Sequence, residues 1–146
     1  MNKIRRASIQ DASTVGSLAC QLWPDNPLEE MEEEFASLLS RADAAIFLAE
    51  MEGEAIGFAQ CQLRRDYVEG TGSSPVGYLE GIFVREEYRR KGIARQLLAE
   101  CEAWAGDFGC SEFASDCELE NVQSLRFHRN VGFEEANRII CFVKKI

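Results

Sequence analysis

At 146 residues the chain has the length of one domain, enough to bury roughly two-thirds of the surface its unfolded state exposes. Apolar residues at 46% and charged residues at 28% describe a soluble globular protein and exclude a disordered segment or a coiled coil. Acids outnumber bases 25 to 16, a formal charge of −9 that disfavours a nucleic-acid partner and favours a cationic one.

Other classes fall on local grounds. No apolar run approaches the ~20 residues of a membrane span. Met1, Asn2, Lys3, Ile4, Arg5 and Arg6 lead into a polar stretch, unlike a secretory signal. The six cysteines are scattered without a Cys-x-x-Cys pair and there is one histidine, so neither a disulfide framework nor a zinc or other metal site is expected. Cysteines in apolar runs, such as Cys61 and Cys101, read as small core residues in a reducing cytoplasm.

Along the chain, residues 3–8 read as a strand and Ser8 as the cap of a helix over 11–22, with Val15, Leu18, Ala19 and Leu22 on one stripe. Pro24 ends it. Asn26 and Pro27 signal a second helix, with Leu28, Met31, Phe35, Leu38 and Leu39 on its apolar face. Glu29, Glu30, Glu32, Glu33 and Glu34 lie opposite, as a solvated face or as the border of a cationic ligand's site. Residues 45–51 and 55–63 form a hairpin about Glu52 and Gly53. A polar loop over 64–75 precedes a strand at 77–84. A helix over 93–105, a strand at 110–116, a helix over 121–131 stopped by Gly132, and a strand at 139–144 complete the chain. The order predicts one mixed α/β domain over residues 1–146.

The most informative stretch comes directly after strand 77–84. Arg89, Arg90, Lys91, Gly92, Ile93 and Ala94 open directly into a helix. Free N–H groups at a helix start, close backbone approach at glycine and adjacent cations together make a pyrophosphate site. The spacing fits neither a P-loop nor a dinucleotide fingerprint.

In this element order, the Arg/Gln-x-x-Gly-x-Gly/Ala pattern resembles that of the GNAT N-acetyltransferases, and the resemblance runs over essentially the whole chain. It implies a mixed, mostly antiparallel sheet with splayed central strands flanked by helices, and acetyl-CoA as cosubstrate. Ile82, Phe83 and Val84 are then expected to meet the pantetheine and acetyl group through their backbone. Arg90, Lys91, Gly92, Ile93, Ala94 and Arg95 are expected to cradle the pyrophosphate, and Asn121 to bond the cofactor arm.

Further segments are similar to the aminoglycoside 6′-N-acetyltransferases, a branch typically built as homodimers. They are Gln21-Leu22-Trp23-Pro24, Asp66-Tyr67-Val68, Ser73-Ser74-Pro75-Val76, Leu79-Glu80-Gly81-Ile82-Phe83-Val84 and Phe113-Ala114-Ser115-Asp116. The resemblance places Trp23, Tyr67, Glu80 and Asp116 around a small-molecule aminoglycoside. Asn26 stands where some relatives have histidine, and Asn137 where relatives often have an acid.

Chemistry gives these residues work. An ammonium acceptor must be bound as a cation and must lose a proton before its nitrogen attacks a thioester. Asp116, at a strand end, is the better candidate base, with Glu80 orienting the amine; a turn carboxylate and an outward-facing strand residue are the plainer readings. A backbone N–H near Phe83 is the expected oxyanion donor. His128 occupies the place of the tyrosine that protonates the thiolate in many relatives, and also reads as a hydrogen-bonded structural histidine. An acyl-enzyme through Cys117 has no activated thiolate to support it. Beside aminoglycoside acetylation stand acetylation of a polyamine or other small amine, and a non-catalytic acyl-CoA-binding module.

Overall fold

The computed structural model describes residues 2–146. Five strands lie in the order β1-β2-β3-β4-β5: β1 (Asn2–Arg6), β2 (Ala44–Met51), β3 (Glu54–Arg64), β4 (Val76–Val84) and β5 (Phe113–Ala114). The first four are antiparallel neighbours and β5 is parallel to β4. Helices α1 (Ala12–Leu22) and α2 (Leu28–Leu39) cover one face, and α3 (Ile93–Asp107) covers the other. The remaining helix, α4 (Val122–Asn130), comes after β5.

Period-two alternation sorts the core into two layers. From β2, Ala45, Phe47 and Ala49 pack toward Ile93, Leu97, Leu98, Cys101 and Trp104 of α3. Ala44, Ile46 and Leu48 pack toward Val15, Leu18 and Ala19 of α1 and Met31, Phe35 and Leu38 of α2. Both faces of β2 are therefore dry, which explains its unbroken apolar sequence. Glu29, Glu30, Glu33 and Glu34 are exposed on α2, as an amphipathic helix requires.

Two sheet features position the site. Gln60 pairs with Gly81 and the next β3 residue, Cys61, pairs with Leu79. Glu80 is the extra residue of a β-bulge, a device that bends a strand and re-aims a side chain. On its other side β4 pairs with β5 only at Gly77/Phe113 and Tyr78/Ala114. Beyond Tyr78 the two strands part, leaving a wedge-shaped opening inside the sheet.

Several boundaries differ from the sequence reading. Ser8 does not cap the long helix. Its N–H donates to Asp11 (2.8 Å) in a capping box around a short 3-10 turn, Ile9–Asp11, before α1 begins. Pro27, not Asn26, is the cap of α2, and Asn26 turns back to donate to the Trp23 carbonyl (3.3 Å). The strand expected at 110–116 is ordered as a ladder only at Phe113–Ala114. The strand expected at 139–144 is not formed. From Glu134 onward no backbone group bonds another among the described residues, and Ile139, Ile140, Phe142 and Val143 are 64–94% exposed. A strand needs a neighbour to satisfy its backbone, and within this chain the segment has none.

Arg5 ties β1 to two acids, bonding Asp11 and Glu50, each at 2.8 Å. The guanidinium holds the Asp11 carboxyl down, from 3.8 to about 2. A depressed carboxyl stabilises the fold above its unfolded pKa, and that gain disappears as pH falls through the folded value. Asp11→Asn is expected to cost about 1–2 kcal/mol in urea unfolding at pH 7, allowing for solvent screening. The difference from wild type should shrink as pH falls from about 4 to about 2.

Candidate active site

The wedge between β4 and β5 is bordered by two chemically different regions. Beside the C-terminal end of β4 is the cationic loop. Arg89 donates to the Val84 carbonyl (2.6 Å) and its guanidinium lies 5.6 Å from the centre of the Phe83 ring. Arg90 (φ 64) and Gly92 (φ 79) both take left-handed backbone conformations, folding the loop tightly onto α3. Glycine accepts that conformation without steric cost at Gly92, the helix cap. The first bond closed across the cap is Gln96 N–H to the Gly92 carbonyl (3.1 Å). The N–H groups of Ile93, Ala94 and Arg95 thus remain unpaired, as at any helix start. Arg90, Lys91 and Arg95 are exposed around them. These donors and charges fit a pyrophosphate. Arg95 also donates to the Asn130 carbonyl (2.6 Å), linking α3 to α4.

Ladder geometry assigns the backbone donors. Arg85 N–H bonds the Ile56 carbonyl (2.8 Å), and Phe83 pairs with Phe58 in the same register. Alternation along an antiparallel strand therefore turns Phe83 N–H toward β3 and turns those of Ile82 and Val84 toward the wedge. The backbone N–H groups near Phe83 that turn toward the wedge are therefore those of its two neighbours. Asn121 caps α4, its Oδ1 accepting from Ser124 N–H (3.1 Å), and its side-chain NH2 has no partner among the described residues.

The other predicted residues fall in three groups by their contacts, Trp23 with Asn26, Tyr67 with Asn137, and Glu80 with Asp116. Trp23, at the end of α1, packs edge-on to Phe58 with ring centres 6.3 Å apart. It also lies directly over Gly81, where a Cβ would stand 2.6 Å from Trp23 Cη2. Asn26 is tethered beside it through the Trp23 carbonyl. Tyr67, 79% exposed on the 65–75 loop, donates to Glu69 (3.0 Å), and Asn137 donates to the other Glu69 oxygen (2.7 Å). Asn137 first and Tyr67 second hold the Glu69 carboxyl below its ordinary range.

Glu80 and Asp116 are not free carboxylates. Arg64, the last residue of β3, donates to both Glu80 oxygens (3.1 and 2.8 Å). Its guanidinium also lies 3.5 Å above the Tyr78 ring centre, and the Tyr78 hydroxyl donates to Asp116. Tyr78 is buried, and burial together with the Asp116 bond raises its pKa, so the phenol stays protonated. Sequence reasoning missed both residues. Tyr78 precedes Glu80 by two, and Arg64 ends an apolar strand. The β3–β4 register, which no reading along the chain supplies, brings Arg64 beside Tyr78 and Glu80.

His128 sits one layer behind. Its Nδ1 lies 2.7 Å from the Ser124 carbonyl and its Nε2 lies 2.7 Å from Ser115 Oγ. A carbonyl only accepts, so in the neutral ring Nδ1 carries the proton and Nε2 accepts from Ser115. Cys117 is exposed next to Asp116. Among the described residues no group of three or more His, Cys, Asp or Glu is placed to hold a metal.

The Trp23–Gly81 contact gives a test of this packing. Gly81→Ala is expected to displace the indole, shifting its fluorescence emission and costing about 1–3 kcal/mol in denaturant unfolding.

Comparison with known proteins agrees with this geometry. The family model described as acetyltransferase (GNAT) family matches residues 12–133. The aminoglycoside N(6′)-acetyltransferase type 1 of Stenotrophomonas maltophilia is 46% identical over 142 residues, 95% of this chain and 90% of that protein. The structure of AAC(6′)-Iy in complex with the bisubstrate analog CoA-S-monomethyl-acetylneamine superposes with a TM-score of 0.95 at 39% identity, covering 100% and 99% of the two chains. AAC(6′)-Ih from Acinetobacter baumannii gives a TM-score of 0.95 at 40% identity with the same coverage. The cationic loop at the head of α3, the parted β4 and β5, and these similarities along the whole fold lead to one assignment: the chain belongs to the acetyltransferase (GNAT) family, in the branch of the aminoglycoside N(6′)-acetyltransferases.

Proposed function

We propose that this chain transfers the acetyl group of acetyl-CoA to the 6′-amino group of aminoglycosides, by direct attack of the amine on the thioester. The observation that carries the reading is the wedge itself, with an anion-binding helix start beside one strand and a wall of carboxylates and aromatic rings. Acetyl-CoA supplies an activated acetyl group. Arg90, Lys91, Gly92, Ile93, Ala94 and Arg95 hold its pyrophosphate. Ile82, Phe83 and Val84 line the arm; of the two wedge-facing N–H groups, Ile82 and Val84, one meets the thioester carbonyl oxygen as negative charge develops there and the other bonds the arm. Asn121 offers its free NH2 group to the arm.

Trp23, Asn26, Tyr67 and Asn137 border the acceptor, with Glu80 orienting its amine and Asp116 taking the proton the amine must lose. An aromatic face and polar groups suit a polyhydroxylated, multiply charged sugar. His128 serves the departing thiolate through Ser115. The Ser115 hydroxyl gives its own proton to the thiolate while its oxygen takes the Nε2 proton of the imidazolium, leaving the neutral ring. Acetylation turns an ammonium into a neutral amide, which is the basis of the resistance the reaction would confer. The compartment is the cytoplasm; the buried thiols Cys61 and Cys101 fit its reducing conditions.

The functional unit is a homodimer. Support comes from the segment after Arg138, whose apolar side chains are exposed and whose backbone makes no backbone hydrogen bond among the described residues. The outer edge of β5 is likewise unpaired, and unpaired edges invite strand addition. The opposite edge, β1, carries Lys3 and Arg6, which disfavour Lys144 and Lys145, so the β5 edge of a second copy is the receiving site.

Coenzyme A release is expected with 6′-amino aminoglycosides and absent with 6′-hydroxy analogues. Equal release from both overturns the positional reading. The full chain should sediment as a dimer, and removal of residues 139–146 should yield monomers. A monomeric full chain overturns the assembly.

A further inference from the structure

Arg64 is a cation placed where a wall for cationic substrates would be expected to carry none. It forks onto both oxygens of Glu80 and lies over the ring of Tyr78, whose hydroxyl in turn holds Asp116. One guanidinium thus touches or lies next to every acidic group proposed to meet the acceptor amine. Its own charge is secure: burial pulls its pKa down, but the Glu80 hydrogen bonds and the surrounding negative charge more than offset this. The fork requires arginine, since two parallel donors matching one carboxylate are beyond a lysine.

Acceptor chemistry sets two opposed demands on this wall. Negative charge draws the ammonium in, yet the same charge stabilises the ammonium against losing its proton. Two uncompensated carboxylates beside the amine bind it well and keep it inert. Arg64 reduces the local balance of Glu80, Asp116 and Arg64 from two negative charges to one. We propose that Arg64 is a charge-balancing and positioning residue, which lets the acceptor amine bind as a cation and still deprotonate near neutral pH. The inference rests on the acetyltransferase reading and extends it to a residue outside the proposed substrate wall. The other ionisable groups on the surrounding elements are Arg65, Asp66, Tyr67 and Glu69 of the 65–75 loop, Cys117 after β5, and His128 of α4, whose ring is committed to Ser115 and Ser124.

The test compares wild type, Arg64→Gln and Arg64→Lys with acetyl-CoA and a 6′-amino aminoglycoside, measuring kcat and KM from about pH 6 to about pH 9.5. Loss of the positive charge is expected to lower kcat roughly tenfold at pH 7, without raising KM, and to move the kcat profile about one unit toward alkaline pH. Arg64→Lys, which keeps the charge without the fork, should retain the wild-type profile. A merely structural arginine predicts a different pattern, a raised KM with an unmoved profile, and that result overturns the proposal. So does an unchanged kcat in Arg64→Gln. Should Arg64→Gln fail to fold, Arg64→Lys decides alone, since a displaced profile with the charge in place is incompatible with charge balancing. Absence of coenzyme A release by wild type overturns the enzymatic reading first and this inference with it, whereas an active wild type with indifferent variants overturns only the inference.

Discussion

Everything proposed for this protein depends on the parting of β4 from β5. Strand β4 stays laddered to β3 through Val84 while its pairing with β5 ends at Tyr78 and Ala114. Unpaired backbone inside a sheet is costly unless something else bonds it, so the wedge is a standing demand for a ligand with its own hydrogen-bonding groups. An amide-bearing arm meets that demand better than an apolar one. The bulge at Glu80 belongs to the same distortion, because an extra residue on one strand increases local bending and interrupts the regular alternation of side chains.

Charge is distributed along this opening in a way the total of −9 conceals. Exposed Arg90, Lys91 and Arg95 surround free N–H groups at the head of α3. Glu80 and Asp116 are acids, but with Arg64 between them. The simplest division, cations for the cofactor and anions for the drug, is therefore incomplete. At short range Arg64, bonded to Glu80, counts for more than the exposed acids of α2, which water and salt screen.

Dependence on neighbours also explains the C-terminal segment. Ile139, Ile140, Phe142 and Val143 have the composition of a strand buried on both faces, and the periodicity reading of them as a strand is sound as local chemistry. Strand formation is nonetheless a property of a pair. Within the chain, residues 134–138 are held alongside the 65–75 loop through the Asn137–Glu69 bond (2.7 Å), and residues 139–146 pair with neither open sheet edge among the described residues.

The sequence by itself determined a good deal. Periodic apolar positions located four helices and the central strands to within a few residues, because one-sided burial leaves a regular pattern. The Arg-Arg-Lys-Gly run marked the head of α3, because an anion site at a helix start is local and contiguous. Trp23, Tyr67, Glu80 and Asp116 were legible as site candidates through segments similar to one enzyme branch. Tertiary structure alone decided their partners. Arg64 and Tyr78 meet Glu80 and Asp116 across strand register and through a bulge, and His128 faces Ser115 across the β5–α4 connection. It also decided which N–H groups near Phe83 face the wedge, those of Ile82 and Val84. Contacts between strands are set by register, and a shift of one residue reverses every side chain, so no reading along the chain fixes them.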